Sequence, residues 1–127
     1  MTLSSLATPT RLALAWTLLI LGLCTLPSAI ASKAGGFGID KLAHAVAFAG
    51  FGWLWLRAGW RLGTALVLGA AFGVFIEVWQ EVLPIGRRAD GWDIAADLVG
   101  LALGVGAWMA LRRRRASDAG PTAGVSR

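Results

Sequence analysis

Apolar residues run through this chain in long continuous stretches, and polar positions gather at their edges. Runs of this length, rich in Leu and Ala and without period-two alternation, predict helices rather than strands. Four are long enough to approach the thickness of a bilayer: about 12–30, 42–56, 62–83 and 94–111. The second is short, roughly 22 Å by helical rise, and can begin earlier, near Gly38. Pro84 ends the third run, and Gly86 and Gly91 mark a turn before the fourth. The expected fold is all-α: a polytopic membrane protein of about four transmembrane helices in a compact bundle. Residues 1–115 form the membrane domain, and the small polar stretch 116–127 is expected as a disordered cytoplasmic tail.

Composition agrees with a membrane setting. Of 127 residues, 57% are hydrophobic and 15% charged, with a mean hydropathy of +0.67. Soluble domains carry about 25% charged residues. Seven Trp and no Tyr is unusual, and Trp favours membrane interfaces. Net charge is +5 and the pI about 11.1. That balance could point to nucleic acid. The run Arg112-Arg113-Arg114-Arg115, however, directly follows an apolar segment, and such placement suits anionic lipid headgroups. No nucleic-acid partner is expected. The single Cys24 excludes an intramolecular disulfide and a cysteine metal site.

Basic residues in the short loops set the orientation. Arg11, Arg57, Arg61 and Arg112 to Arg115 fall on one side; Lys33, Lys41, Arg87 and Arg88 fall on the other. The larger set places both termini of a multi-pass membrane protein in the cytoplasm. Trp16, Trp53, Trp55, Trp60 and Trp108 then form a cytoplasmic belt, and Trp79 and Trp92 an outer one. A rival reading takes the first run, ending Ser28-Ala29-Ile30-Ala31-Ser32, as a cleavable signal peptide. Gly69/Gly73 and Gly100/Gly104 have the G-x-x-x-G spacing that lets helices approach closely in lipid.

Ionisable residues at bilayer depth are costly and mark function by default. Asp40-Lys41 with His44, Glu77 with Gln80 and Glu81, and Asp93 with Asp97 sit at one depth on three runs. The spacing of four places Asp40 with His44, Glu77 with Glu81, and Asp93 with Asp97 on shared faces. The expected polar cluster is Asp40, Lys41, His44, Glu77, Gln80, Arg87, Asp93 and Asp97, facing outward. Arg87 and Arg88 would close over it. Asp40 and Asp93 can also cap their helices. Glu77 is expected as the hub, in contact with His44 directly or through one water. His44 and Glu77 are the candidate catalytic residues should the site be an enzyme's, with Asp97 as a further orienting carboxylate. A single His excludes a multi-His zinc site, and neither metal nor cofactor is expected. The sequence carries no G-x-S-x-G, H-E-x-x-H or phosphate-binding Gly loop.

These same residues carry a family resemblance. Asp40-Lys41-Leu42-Ala43-His44 resembles the D-K-x-x-H opening of VanZ-like membrane proteins. Ile76-Glu77-Val78-Trp79-Gln80 resembles that family's E-x-x-Q element. The segment from Gly86 to Asp93 resembles its G-R segment ending in Asp, and Asp93 through Gly100 its D-x-x-x-N-x-x-G, with Asp97 where many members have Asn. The resemblance spans roughly Ile39 to Leu111. It implies a small multi-span protein of the bacterial envelope, in a family named for a protein linked to teicoplanin resistance. The expected function is an envelope protein whose polar cluster binds a lipid headgroup, glycolipid or glycopeptide. The alternative is an intramembrane enzyme on a lipid-linked envelope substrate. Membrane lipids are the expected partners, and the sequence leaves the oligomeric state open.

Overall fold

The computed structural model describes residues 3–31 and 37–119. These form α1 (Leu3–Cys24), the short α2 (Ser28–Ala31), α3 (Phe37–Arg57), α4 (Leu62–Val82) and α5 (Gly91–Asp118), with no strand among the described residues. The all-helical expectation holds. By length and apolar composition, α4 and α5 are each able to cross a membrane; the apolar part of α1 is shorter, Thr8–Cys24.

Boundaries differ from the hydropathy reading in three places. The first helix ends at Cys24 rather than near residue 30. Pro27 has no N–H and disfavours helical backbone at Leu26, so the chain breaks before resuming as α2. The second starts at Phe37, five residues before Leu42, so it includes Asp40 and Lys41. The last runs from Gly91 through the arginine run to Asp118. Residues 116–118, expected as tail, are therefore helical; the tail from 120 onward lies outside the described residues, as does Lys33.

The turn after α3 is built by its sequence. Gly59 takes φ +102°, a left-handed conformation that costs glycine little. Its N–H bonds to the Leu56 carbonyl at 3.1 Å, and the Trp60 N–H to the Trp55 carbonyl at 3.0 Å. This is the Schellman pattern, and its usual apolar contact is the Trp55–Trp60 ring stack, 4.0 Å between centroids.

Small residues decide how the helices meet. α3 and α5 run parallel in intimate contact. A Cβ on Gly100 would strike the Ala45 carbonyl, and one on Gly104 the Ala49 carbonyl. Gly69 and Gly73 on the antiparallel α4 face different atoms of α5: the Leu101 side chain and the Asp97 carboxylate. The two G-x-x-x-G pairs thus serve separate interfaces rather than one shared seam. Phe51 of α3 stacks on Phe72 of α4 and Phe48 packs against the same ring at a tilt, with centroids 5.4 and 5.8 Å apart. α1 lies antiparallel to α3. The Trp16 indole donates to the Ala47 carbonyl at 2.9 Å, and Trp55 donates to the Thr17 hydroxyl at 3.1 Å. Trp79 of α4 donates to Thr25 at 3.1 Å. Three of the Trp residues expected in the belts therefore tie helices together, because a buried indole N–H needs an acceptor.

The distribution of polarity is inverted relative to a soluble bundle. Leu18, Leu42, Val67, Val82 and Leu103 are all exposed, while His44, Glu77, Gln80, Asp93 and Asp97 are buried. Gly100→Ala is expected to lower stability by about 1–3 kcal/mol, since the added methyl meets backbone that has no rotamer to yield. Gly106, with open space around its Cβ position, is the control: Gly106→Ala is expected to be neutral or to stabilise by up to about 1 kcal/mol through helix propensity. Thermal unfolding of both variants in detergent reads the difference.

Candidate functional site

The close α3–α5 packing fixes which polar residues meet. His44, next to Ala45, lies opposite Asp97; one turn earlier, Lys41 lies opposite Asp93. Lys41 also bonds the Asp90 carboxylate at 2.5 Å and lies 3.7 Å from Asp40. One ammonium thus serves three carboxylates on two elements. Asp90 precedes α5 and is its N-cap, its carboxylate accepting from the Trp92 N–H at 2.9 Å. Bonds from Lys41 and from that N–H hold the Asp90 carboxyl below the usual carboxylate range.

The structure corrects two roles read from the sequence. Asp93 is not the cap of the last helix. α5 begins at Gly91, which puts Asp93 inside the first turn with its carboxylate on Lys41. Asp40 is likewise inside the first turn of α3 and pairs with Arg87, 3.6 Å away. Asp90 was missed, although a signal for it exists. An Asp three residues before another acidic residue, at the edge of an apolar run, has the spacing of a capping box.

His44 stands between two carboxylates. Its Nδ1 is 2.9 Å from Asp97 Oδ1, and its Nε2 is 3.7 Å from Asp93 Oδ2. The ring is 7% exposed and Asp97 1%. His44 and Glu77 form no direct hydrogen bond or ion pair. Glu77 Oε2 instead accepts the backbone N–H of Asp90 at 2.6 Å. Glu81 does the same for Ala89 at 2.8 Å. These two α4 carboxylates hold the loop that presents Asp90 to Lys41, so Glu77 braces the cluster rather than centring it. Gln80 is fully buried and donates to the Cys24 carbonyl at 3.1 Å, linking α4 to the end of α1. Arg88 is exposed. Glu77 Oε1, Gln80 Oε1 and Asp97 Oδ2 are buried without a hydrogen-bond partner among the described residues.

Beside the cluster, α1 and α3 enclose a cleft of about 240 Å³. Ile20, Leu23, Leu26, Ile39 and Phe48 give it apolar walls; Asp40, His44 and Arg87 supply its polar lining. Asp40, His44 and Asp93 also place one donor atom each within 4.8 Å of one another. That spacing would suit a divalent ion, but the Lys41 ammonium already bonds Asp93 and neighbours Asp40. A metal there would compete with it.

Lys41→Met is expected to destabilise the fold by about 3–5 kcal/mol, because it strands the buried Asp93 carboxylate. Adding Asp93→Asn should recover much of that loss, which a double-mutant cycle of unfolding free energies measures. The Asp90 contribution should follow its lowered pKa. It is fully present above the ordinary Asp range and disappears as pH falls through the folded-state value. The Asp90→Asn variant should lack this part of the acid dependence.

Comparison with curated proteins and with solved structures gives no match. The four motifs that resemble VanZ-like proteins supply the residues of this cluster: Asp40, Lys41 and His44 on α3, Glu77 and Gln80 on α4, and Arg87, Asp93 and Asp97 beyond it. The VanZ/LLP1 family model matches residues 5–112, which takes in α1, every element of the site and the start of the arginine run, and the chain belongs to that family.

Proposed function

We propose that the chain crosses the bacterial inner membrane four times, with both termini cytoplasmic, and binds an amphipathic envelope ligand at its outer end. Exposed apolar residues on α1, α3, α4 and α5 support membrane embedding, since they give a soluble bundle no reason to keep its charges inside. The loop basic residues support the orientation.

The observation that carries the ligand reading is the position of His44. It belongs both to the buried ion-pair cluster and to the wall of the α1–α3 cleft. A polar headgroup would meet Arg87, Asp40 and His44, while an acyl or polyprenyl chain would lie along Ile20, Leu23 and Phe48. A lipid headgroup or glycolipid has both parts. A glycopeptide bearing an acyl chain has them too, which is how a link to teicoplanin resistance would arise.

One observation favours a second reading. Asp97 on Nδ1 fixes the His44 ring and leaves Nε2 toward Asp93, the arrangement of an oriented general base. The protein would then be an enzyme acting on a lipid-linked envelope substrate.

Three measurements test these readings. In a Cys24→Ala background, Arg88→Cys should label with an impermeant thiol reagent in intact cells and Ser117→Cys should not; the reverse pattern overturns the orientation. Lipids that copurify with the wild-type chain should be lost from Ala43→Trp, which fills the cleft at an exposed position, and reduced in His44→Ala. Unchanged lipid retention in both sinks the cleft as the binding site. A lipid-linked species that accumulates in envelopes carrying His44→Ala but not Gly106→Ala would move the enzyme reading ahead.

A further inference from the structure

A second cleft, of about 150 Å³, opens between α3 and α5 at the opposite end of the bundle. Trp53 and Arg57 line it from α3; Trp108, Leu111, Arg112 and Arg115 line it from α5. The spacings of three and four place each set on one helix face. The two faces meet because the helices run parallel: the register that seats Gly104 on Ala49 brings Arg112 beside Arg57. The Arg112 guanidinium lies over the Trp108 ring, 4.9 Å from its centroid. Stacking of this kind holds the charge in place and leaves guanidinium N–H groups to donate.

Among the described residues, no acidic one lines this cleft. Three arginines from two helices therefore line it with no carboxylate among them. Directly before it, α5 carries the exposed apolar residues Val99 and Leu103. A site that combines guanidinium forks with Trp rings at the end of an apolar helix suits a phosphodiester attached to an acyl chain. Basic pockets between membrane helices on the cytoplasmic side take anionic headgroups.

We propose that the Arg57–Arg112–Arg115 cleft is a binding site for the phosphodiester headgroup of an anionic phospholipid in the cytoplasmic leaflet. The site is distinct from the outer cluster, and its ligand class and leaflet rest on the membrane-spanning reading proposed above. Three of the basic residues that orient the protein thereby form a shaped site, whereas Arg113 and Arg114 of the same run remain outside it.

That division supplies the test. The full chain is purified in neutral detergent and titrated with phosphatidylglycerol, phosphatidylcholine or inorganic phosphate, with adducts read by native mass spectrometry. Phosphatidylglycerol should bind in preference to phosphatidylcholine. Each cleft arginine is expected to contribute about fivefold in affinity, so Arg112→Ala with Arg115→Ala should weaken binding on the order of twentyfold. Arg113→Ala with Arg114→Ala removes the same charge and should change it by no more than about twofold. Arg57→Lys, which keeps charge but not the fork, should fall between wild type and Arg57→Ala. Equal losses from the two double variants would reduce the effect to bulk charge and overturn the site. Equal binding of phosphatidylcholine, or displacement of lipid by equimolar inorganic phosphate, would overturn the ligand class. Resistance of the membrane-bound chain to carbonate extraction reads insertion and the Arg88→Cys and Ser117→Cys labelling reads orientation, so failure of the membrane-spanning reading is distinguishable from failure of this one.

Discussion

The contact on which the rest of the structure depends is the backbone-to-backbone approach of α3 and α5. Ala45 and Ala49 on one helix and Gly100 and Gly104 on the other leave no room for a further methyl group. An approach this close fixes the register. With the register fixed, His44 falls on Asp97 and Lys41 on Asp93 toward one end, and Arg57 falls near Arg112 toward the other. A looser interface, filled by large side chains, would permit sliding and would not hold the charged pairs at matched depth. In lipid, where apolar contacts between helices gain little over contacts with acyl chains, such packing is a main source of association.

The polar cluster follows as a consequence of that register and constrains it in turn. A buried charge without a partner is strongly unfavourable, so Lys41 and its carboxylates can be tolerated only when aligned. Lys41 draws Asp90 and Asp93 together, and Asp90 in turn caps α5. Glu77 and Glu81 accept backbone N–H groups of the same loop. The loop between α4 and α5 is thus held by three helices, and through it Arg87 reaches Asp40. The result is a site whose rim is ionic and whose neighbouring cleft is apolar, suited to a molecule with both characters.

The two ends of the molecule contrast in charge. One gathers carboxylates around a single ammonium and a histidine; the other presents arginines and tryptophans with no carboxylate lining the cleft between them. The apolar exterior lies between. This polarity along the helix direction, rather than any single residue, relates the chain's composition to a membrane setting.

Helical class and motif membership were legible in the sequence because hydrophobic length and the D-K-x-x-H, E-x-x-Q and Asp-rich segments are local patterns. Their residues share one region because helices of similar length, joined by short connections, bring their ends to common depths. Partner choice was not legible. Asp93 and Asp97 each have the right spacing for several roles, and only the α3–α5 register assigns one to Lys41 and the other to His44. Glu77 sits near His44 in depth, yet its helix rotation directs the carboxylate to the Asp90 N–H, and rotation is set by the packing of Gly69 and Gly73 on α5. The break at Pro27 was written in the sequence but hidden by hydropathy, which averages over a residue that stops a helix without lowering its apolar character. Sequence alone determined the four long helices, their polarity and, Asp90 apart, the chemical inventory of the site. Tertiary structure decided which group faces which, because side-chain direction depends on helix register and rotation, and those are set by contacts between residues distant in the chain.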